Sequence, residues 1–223
     1  MTDALSKEIL TFLTDLNKNN NREWFTCNKS RYLVAQENMV NFVDALIQEI
    51  SDFDEAVVKI DAKKSIFRIY RDTRFSKDKT PYKTNFGAGL GMGKGSEIAG
   101  YYLHIEPGKS FLAGGVYQPD SSILKEIRRE ISVNADEFLA IINGSEFRKY
   151  FTGLSEEDKL IRVPAGFDKD DPMAEVLKLK SYIAVYNLTD REILEKDAVK
   201  KLADMFKQVK PLNDFLSAPF KKQ

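Results

Sequence analysis

The segment Gly100-Tyr-Tyr-Leu-His-Ile-Glu-Pro-Gly-Lys-Ser-Phe-Leu-Ala-Gly-Gly-Val-Tyr117 has two runs rich in aromatic and aliphatic residues on either side of a Pro-Gly pair. This composition is typical of two strands joined by a short connection, and short connections favour antiparallel pairing. It predicts strands at 99–106 and 111–117. Segments of similar texture predict further strands at 56–61, 66–74, 84–91 and 182–188.

Helices are predicted on both sides of this strand-rich region. Leu5, Ile9, Phe12, Leu13 and Leu16 recur at helical spacing, and a second helix is expected to extend to about Ile50. Later helices are expected at 123–131, from Asn134 to Gly144, at 173–179, and after Thr189 and Asp197. Two of them begin with capping-box spacing, Asn134 with Glu137 and Thr189 with Glu192. The pattern predicts an α+β fold, with an antiparallel sheet from the middle of the chain packed against N-terminal and C-terminal helices.

The size of the chain favours one domain. Its 223 residues, 43% of them hydrophobic and 30% charged, can bury one large core. We therefore predict a single domain over residues 1–223, with a surface loop or subdomain border at 164–172, where two prolines and a glycine interrupt the pattern. Lysine plus arginine number 34, equal to aspartate plus glutamate, so any attraction to an anionic partner must be local.

The termini and the single cysteine bear on location. The N-terminus lacks the basic start and apolar stretch of a signal peptide, and no apolar run is long enough to span a bilayer. Cys27 has no second cysteine with which to form a disulfide, which favours a reducing compartment. We expect a cytoplasmic protein with no membrane partner, in which Cys27 is a small buried side chain.

Positive charge is concentrated in one stretch of this neutral chain. Residues 68–83 hold six cationic side chains against two acidic ones, and residues 59–83 hold nine against three. Arginine can bind phosphate or carboxylate oxygens as a bidentate fork, and lysine binds them as a mobile point charge. The candidate ligand-binding residues are those of this stretch together with the single histidine: Arg68, Tyr70, Arg71, Asp72, Arg74, Lys77, Lys79, Lys83 and His104.

Arg71 is the most informative member of this set. Strand alternation places it with Phe67 and Ile69 on the more apolar face of the predicted strand at 66–74. A guanidinium directed toward a core must be paired, so Arg71 needs either a protein carboxylate or a bound anion. Both alternatives stay open on the sequence alone.

Glycine occupies every second position from Gly87 to Gly95. On a strand these glycines share one face and leave it bare, which permits an aromatic ring, another backbone or a ligand to approach closely. The spacing satisfies neither the Walker A pattern nor the dinucleotide-binding G-x-G-x-x-G pattern. Strand geometry is therefore favoured over a phosphate-binding loop.

His104 lies two residues before Glu106, so both share one face of the predicted strand. The histidine can act as a general base paired with Glu106 or Tyr102, or it can be a hydrogen-bonded strand residue with no catalytic role. No second histidine or cysteine cluster is available, so we predict no metal site. The sequence indicates no cofactor and leaves catalytic residues and enzyme status unassigned.

Several motifs together resemble one known family. They are Asn20-Asn-Arg-Glu-Trp-Phe25, Ile69-Tyr-Arg-Asp72, Arg74-Phe-Ser-Lys-Asp-Lys79, Pro81-Tyr-Lys-Thr84, Gly100-Tyr-Tyr-Leu103 and Gly114-Gly115. They are similar to the bacterial and fungal family known as domain of unknown function 2461, from about Phe12 to beyond Ile131. The resemblance implies a stand-alone cytosolic domain and supplies no reaction, cofactor or catalytic residue.

Three functional hypotheses follow. The first is an anion-binding protein whose small-molecule ligand carries phosphate or carboxylate. The second is a nucleic-acid binding module, in which the cations follow a backbone and bases stack on Tyr70, Phe75, Tyr82, Tyr101 and Tyr102. The third is a protein interaction scaffold without catalysis. The sequence does not define the oligomeric state.

Overall fold

The computed structural model describes residues 4–91 and 98–221. The N-terminal helices are α1 (Lys7–Lys18), α2 (Arg22–Cys27), α3 (Lys29–Ser51) and α4 (Ala62–Ser65). The strands are β1 (Phe86–Leu90), β2 (Gly100–Ile105), β3 (Ser110–Val116) and β4 (Tyr182–Leu188). The other helices are α5 (Ser121–Val133), α6 (Ala135–Asn143), α7 (Ser145–Arg148), α8 (Ala174–Leu177), α9 (Asp190–Ile193) and α10 (Ala198–Ser217).

The four strands form one antiparallel sheet in the order β1-β2-β3-β4, with helices before and after it in sequence. The predicted α+β class is confirmed. The strands predicted at 84–91, 99–106, 111–117 and 182–188 correspond to β1, β2, β3 and β4.

Two predicted strands were wrong. Residues 56–61 contain no strand and instead overlap a 3-10 turn at Glu55–Val57, which begins where the Asp54 side chain accepts a hydrogen bond from Ala56 N. Residues 66–74 form only two isolated bridges, Ile66 with Ala88 and Tyr70 with Tyr82. Beyond Tyr70, local side-chain bonds to the backbone take the place of strand pairing, as described for the loop below.

The N-terminal helices follow the predicted stripe, with Ile9, Phe12, Leu13 and Leu16 all buried. The long second helix is divided into α2 and α3 at Asn28. α2 begins after Asn21 because the Asn21 side chain accepts a hydrogen bond from Trp24 N at 2.9 Å. Cys27, predicted to be buried, is exposed.

One of the two predicted capping boxes is confirmed. Thr189 accepts a hydrogen bond from Glu192 N, and the Glu192 carboxylate accepts one from Thr189 N at 2.7 Å. The predicted box at Asn134 is wrong, because the Asn134 amide instead donates to the Glu130 carboxylate at 2.7 Å. Gly144 ends α6 as predicted.

The chain divides into two compact units, which we describe separately. The first comprises Met1–Leu90, Tyr102–Leu112 and Asn187–Asp204, and the second comprises Gly91–Tyr101, Ala113–Tyr186 and Met205–Gln223. Residues 164–172 lie within the second unit and contain no helix or strand. The single-domain organisation stays a prediction.

Aromatic side chains form much of the core of the first unit. Phe25 of α2 stacks on Tyr82 with ring centroids 3.9 Å apart, and Tyr32 of α3 stacks on Phe86 of β1 at 6.3 Å. All four side chains are buried. The segment that leads into β1 is therefore held against α2 and α3 by burial of large apolar area.

In the second unit, Tyr101 and Phe206 make an edge contact at 5.1 Å, and Phe138 packs on Phe215 at 5.4 Å. Tyr182 of β4 is fully buried, and its hydroxyl donates a hydrogen bond to Val176 O at 3.2 Å. Burial raises the pKa of Tyr182 to about 12. The tyrosine therefore stays neutral and acts as a hydrogen-bonded core residue.

Candidate functional site

Arg71 closes a loop formed by residues 71–80, which we call the charged loop. Its guanidinium donates to the Asp78 carboxylate and to the Thr80 hydroxyl, and makes a longer contact of 3.5 Å to the Ser76 hydroxyl. Arg71 thus has a carboxylate partner within its own loop. The expected apolar surroundings are wrong, because Ile69 is buried while Phe67 is 49% exposed.

Asp72 and Asp78 shape the charged loop through bonds to its backbone. Asp72 accepts from Arg74 N at 3.2 Å, and Asp78 accepts from Thr80 N at 2.9 Å. Asp72 also binds the Arg74 guanidinium, with its carboxylate oxygens 2.9 and 3.2 Å from Nε. The hydrogen bonds from Arg74 lower the pKa of Asp72. These local bonds take up backbone groups that a continuous strand would need.

The remaining cations of the stretch fall into two groups. Lys79 donates to Thr73 O at 2.9 Å, which adds a further brace to the charged loop. Within residues 4–91 and 98–221, Arg68, Lys77 and Lys83 form no ion pair with a carboxylate. Together with Lys79, whose partner is a carbonyl oxygen, these three side chains carry the positive charge that exceeds the local carboxylates.

Lys83 is the most constrained of these three. Its backbone N–H donates to Ile69 O at 2.7 Å, which fixes the position of the residue. Its Nζ atom lies 5.5 Å from the centre of the Phe67 ring. Burial lowers the pKa of Lys83 below its ordinary value, and repulsion from Arg68 lowers it further.

Lys83 and Arg71 line a pocket of about 390 Å³ in the first unit. This volume is sufficient for a small metabolite. The lining is mainly polar, and consists of Asn17, Asn20, Arg71, Asp78, Thr80, Tyr82, Lys83, Thr84 and Asn85. Since Arg71 and Asp78 neutralise each other, the lining carries one excess positive charge, that of Lys83.

One wall of the pocket is fixed by Asn20. Its side-chain amide donates to Tyr82 O at 2.9 Å, and its carbonyl oxygen accepts from Tyr82 N at 3.1 Å. On the opposite side, Arg71 N donates to Pro81 O at 2.9 Å. The backbone that carries Lys83 is consequently held from two directions before any ligand binds.

A hydrogen-bonded chain connects the pocket lining to His104. Thr84 donates to the Glu106 carboxylate at 3.2 Å, and the other oxygen of that carboxylate lies 3.1 Å from His104 Nε2. His104 Nδ1 lies 3.1 Å from the Tyr102 hydroxyl and 3.2 Å from the Asn85 amide nitrogen. An ionised carboxylate cannot donate, so this network assigns the proton to Nε2 and leaves Nδ1 as the acceptor in neutral His104.

Gly87 explains the position of Tyr102. A Cβ atom on Gly87 would lie 2.5 Å from the Tyr102 hydroxyl, so the tyrosine ring occupies the space that the missing side chain leaves. The prediction that the glycine-rich face admits an aromatic ring is confirmed at this position. Residues 92–97, which include Gly93 and Gly95, lie outside the described residues.

The structure brings together only part of the predicted ligand-binding set. Arg71 and Lys83 line the pocket. His104 does not line it, but hydrogen bonds connect it to the lining residue Asn85 and, through Glu106, to Thr84. The other members do not line it: Arg68, Tyr70, Asp72, Arg74, Lys77 and Lys79. Two of the aromatic residues predicted to stack on bases, Tyr82 and Tyr101, are buried, so that expectation is wrong for them.

Sequence reasoning missed the uncharged polar lining. Asn17 and Asn20 belong to the asparagine-rich run Asn17–Asn21, which is not among the predicted ligand-binding residues. Thr84 and Asn85 were placed at the start of a strand with no functional role. The density of asparagine between α1 and α2 was the available signal, but its partner Tyr82 is 62 residues away in sequence.

Among the residues that the structure describes, no group of three or more histidine, cysteine, aspartate or glutamate side chains is arranged to hold a metal ion. No helix in the described part of the chain is both long and apolar enough to cross a membrane.

The charged loop is expected to depend on pH through Asp78. The Thr80 N–H, followed by the Arg71 guanidinium, lowers the pKa of Asp78 from 3.8 to about 2. A lowered pKa means that ionised Asp78 stabilises the folded loop above pH 3.8, and that this contribution is lost as the pH falls through about 2. An NMR titration of the Asp78 carboxyl carbon measures the midpoint, which should rise in the Arg71→Met variant. An unshifted wild-type midpoint would contradict the observed pairing.

The fold and the site define a class of protein: an α+β protein with a polar pocket that carries one excess positive charge, beside a histidine–glutamate pair. The chain belongs to the family described as Conserved hypothetical protein (DUF2461), whose family model matches residues 8–215. The family resemblance seen in the sequence motifs is thereby confirmed. No curated protein and no solved structure matches the chain.

Proposed function

We propose that the protein binds a small anionic molecule, bearing a phosphate or carboxylate group, in the pocket lined by Lys83. The observation that carries this proposal is that Lys83 lines the pocket without a carboxylate partner among the described residues. A partly buried ammonium without a counter-ion is costly, and a bound anion offsets that cost.

The neighbours of Lys83 support the same proposal. Arg68 repels Lys83 strongly enough to contribute to its lowered pKa. Two like charges held together in a folded protein oppose stability, whereas both are attracted to a ligand anion. The arrangement is therefore better suited to the bound state than to the free state.

The uncharged lining indicates what else the ligand carries. Asn17, Asn85 and Thr84, whose side chains carry amide and hydroxyl groups, are among the lining residues. Such groups can donate to and accept from hydroxyl groups, and polar pockets of this kind obtain specificity from a few placed hydrogen bonds. We propose a hydroxyl-bearing anion as the preferred ligand.

Titration with inorganic phosphate at constant ionic strength tests the proposal. A ligand at 100 times its dissociation constant adds roughly 2.7 kcal/mol to the free energy of unfolding, so binding is measurable as a thermal shift. The Lys83→Met variant is expected to bind phosphate about tenfold more weakly, because one charge-assisted contact is lost. Without ligand, its melting temperature should not fall, because a repulsive pair is removed.

Lys77→Met is the matched control. Lys77 is exposed, comes from the same cationic stretch and does not line the pocket. This variant should respond to phosphate like the wild type. If both substitutions weakened phosphate binding equally, phosphate would be attracted only by the general positive charge of the region. That result would overturn the proposed pocket.

A nucleic-acid interface is the second candidate, and the observation that favours it is Phe75. This side chain is 95% exposed, and the Arg74 guanidinium lies 5.8 Å from its ring centre. An exposed ring beside cations can stack on an unpaired base while the cations contact the backbone. Binding of oligothymidylate should then weaken steeply as salt rises and should be lost in Phe75→Ala. Binding that is insensitive to salt would exclude this candidate.

A further inference from the structure

Lys83 is also placed to react with a ligand. We propose that its side-chain amine forms an imine with the carbonyl group of an anionic carbonyl compound, such as a 2-oxo acid, held in the pocket. This inference rests on the proposed function, because the pocket must first bind the anionic group. It adds a covalent step that the binding proposal does not require.

The position of the amine supports the inference. Lys83 lines the pocket, its backbone is fixed by the bond to Ile69 O, and its Nζ lies 5.5 Å from the ring centre of Phe67. The ring places apolar surface beside the amine, and the residue that carries the amine lines the pocket. A lysine that forms an imine needs this combination of partial desolvation and access.

The electrostatic surroundings favour the reactive form of the amine. Only the neutral amine can attack a carbonyl, and burial together with Arg68 lowers the pKa of Lys83. A nearby carboxylate would have the opposite effect by stabilising the ammonium ion. None is within ion-pair distance of Lys83 in the described part of the chain.

The other pocket cation can hold the anionic group of the ligand. Arg71 lines the same pocket, and a guanidinium can bind a carboxylate through several N–H groups. With the ligand carboxylate directed to Arg71, the adjacent carbonyl carbon is the part of a 2-oxo acid left for Lys83. The two cations therefore have different roles toward one ligand.

The reaction balances without a further co-reactant. Neutral Nζ adds to the carbonyl carbon and forms the C–N bond, and a proton moves from nitrogen to the former carbonyl oxygen. One proton taken up from solvent, equal to the proton that the ammonium form of Lys83 released on becoming neutral, lets that oxygen leave as water. The C–O bond breaks, and the imine is formed protonated on nitrogen. The protonated imine keeps the positive charge of Lys83 beside the bound anion, so the attraction that supports binding is preserved.

Reductive trapping tests the imine. The full-length protein is incubated with pyruvate and sodium cyanoborohydride, which transfers hydride to the imine carbon and fixes the adduct as a secondary amine. Peptide mapping by mass spectrometry should find Lys83 labelled about tenfold more than Lys77 or Lys79, because it combines a lowered pKa with a binding pocket. Lys83→Arg, which keeps a positive charge but has no primary amine, should lose this label. Lys79→Arg should keep labelling at Lys83.

The outcomes separate the two proposals. Preferential labelling of Lys83 that phosphate suppresses supports both. Uniform labelling of the three lysines overturns the imine, and the binding proposal survives if phosphate still stabilises the wild type more than Lys83→Met. If Lys83 is not preferentially labelled and phosphate does not stabilise the protein, both proposals are wrong.

Discussion

Replacing Gly115 with alanine is expected to lower the free energy of unfolding by about 3 kcal/mol or more. Gly115 lies in β3 with φ at 125°, a conformation that side chains other than glycine rarely adopt. A Cβ atom there would also lie 2.0 Å from the carbonyl oxygen of Tyr182 and 2.9 Å from Ile183 Cα. Both obstacles are backbone atoms of β4, so relief requires the two strands to separate.

Gly108→Ala is the matched control for this prediction. Gly108 also has a positive φ, 68°, but a Cβ atom would meet nothing within 4 Å. Only conformational strain remains, so we expect a loss of about 1–2 kcal/mol. Urea denaturation of both variants gives the comparison. Equal losses would show that steric contact with β4 contributes nothing at Gly115.

The Arg71→Met variant is expected to bind phosphate about 100-fold more weakly than the wild type, a loss of about 2.7 kcal/mol. Two effects combine in this variant. A pocket cation is removed, and the Asp78 carboxylate is left unpaired in the lining, where it repels an anion. The effect should therefore exceed that of Lys83→Met, which removes a charge but exposes no carboxylate.

Asp78→Asn separates the two effects. Adding it to Arg71→Met removes the repulsive carboxylate and should recover part of the lost phosphate affinity, as a double-mutant cycle measures. Loss of folding is not expected to explain the result, because the Asp78 side chain is 57% exposed and exposed ion pairs contribute little to stability. Circular dichroism checks that expectation. Unchanged phosphate binding in Arg71→Met would place the anion elsewhere.

The sequence predicted the parts of the fold that depend on local pattern. β2, β3 and β4 were found because aromatic and aliphatic residues are concentrated in short runs there, and α1 because its buried residues recur at helical spacing. The strand predicted at 66–74 does not form, and the reason is also local, although composition does not show it. Asp72 and Asp78 bind nearby backbone N–H groups and convert a strand-like composition into a loop.

The site was predictable only in part. Charge counting located Arg71 and Lys83, but it did not distinguish a protein carboxylate from a bound anion as the partner of Arg71. That choice depends on the closure of the charged loop, which brings Asp78 back to Arg71. The polar lining depends on contacts across long stretches of chain, such as Asn20 with Tyr82, and no local pattern encodes them.

The bond between Asn20 and Tyr82 also has a consequence for self-association. Tyr82 pairs with Tyr70 on one side, and its own N–H and C=O groups point to the other side, where Asn20 satisfies both. Unsatisfied groups in that position would form a short template on which a second polypeptide could add as a strand. By bonding both groups, the Asn20 side chain removes this template and opposes the addition of another strand beside the pocket.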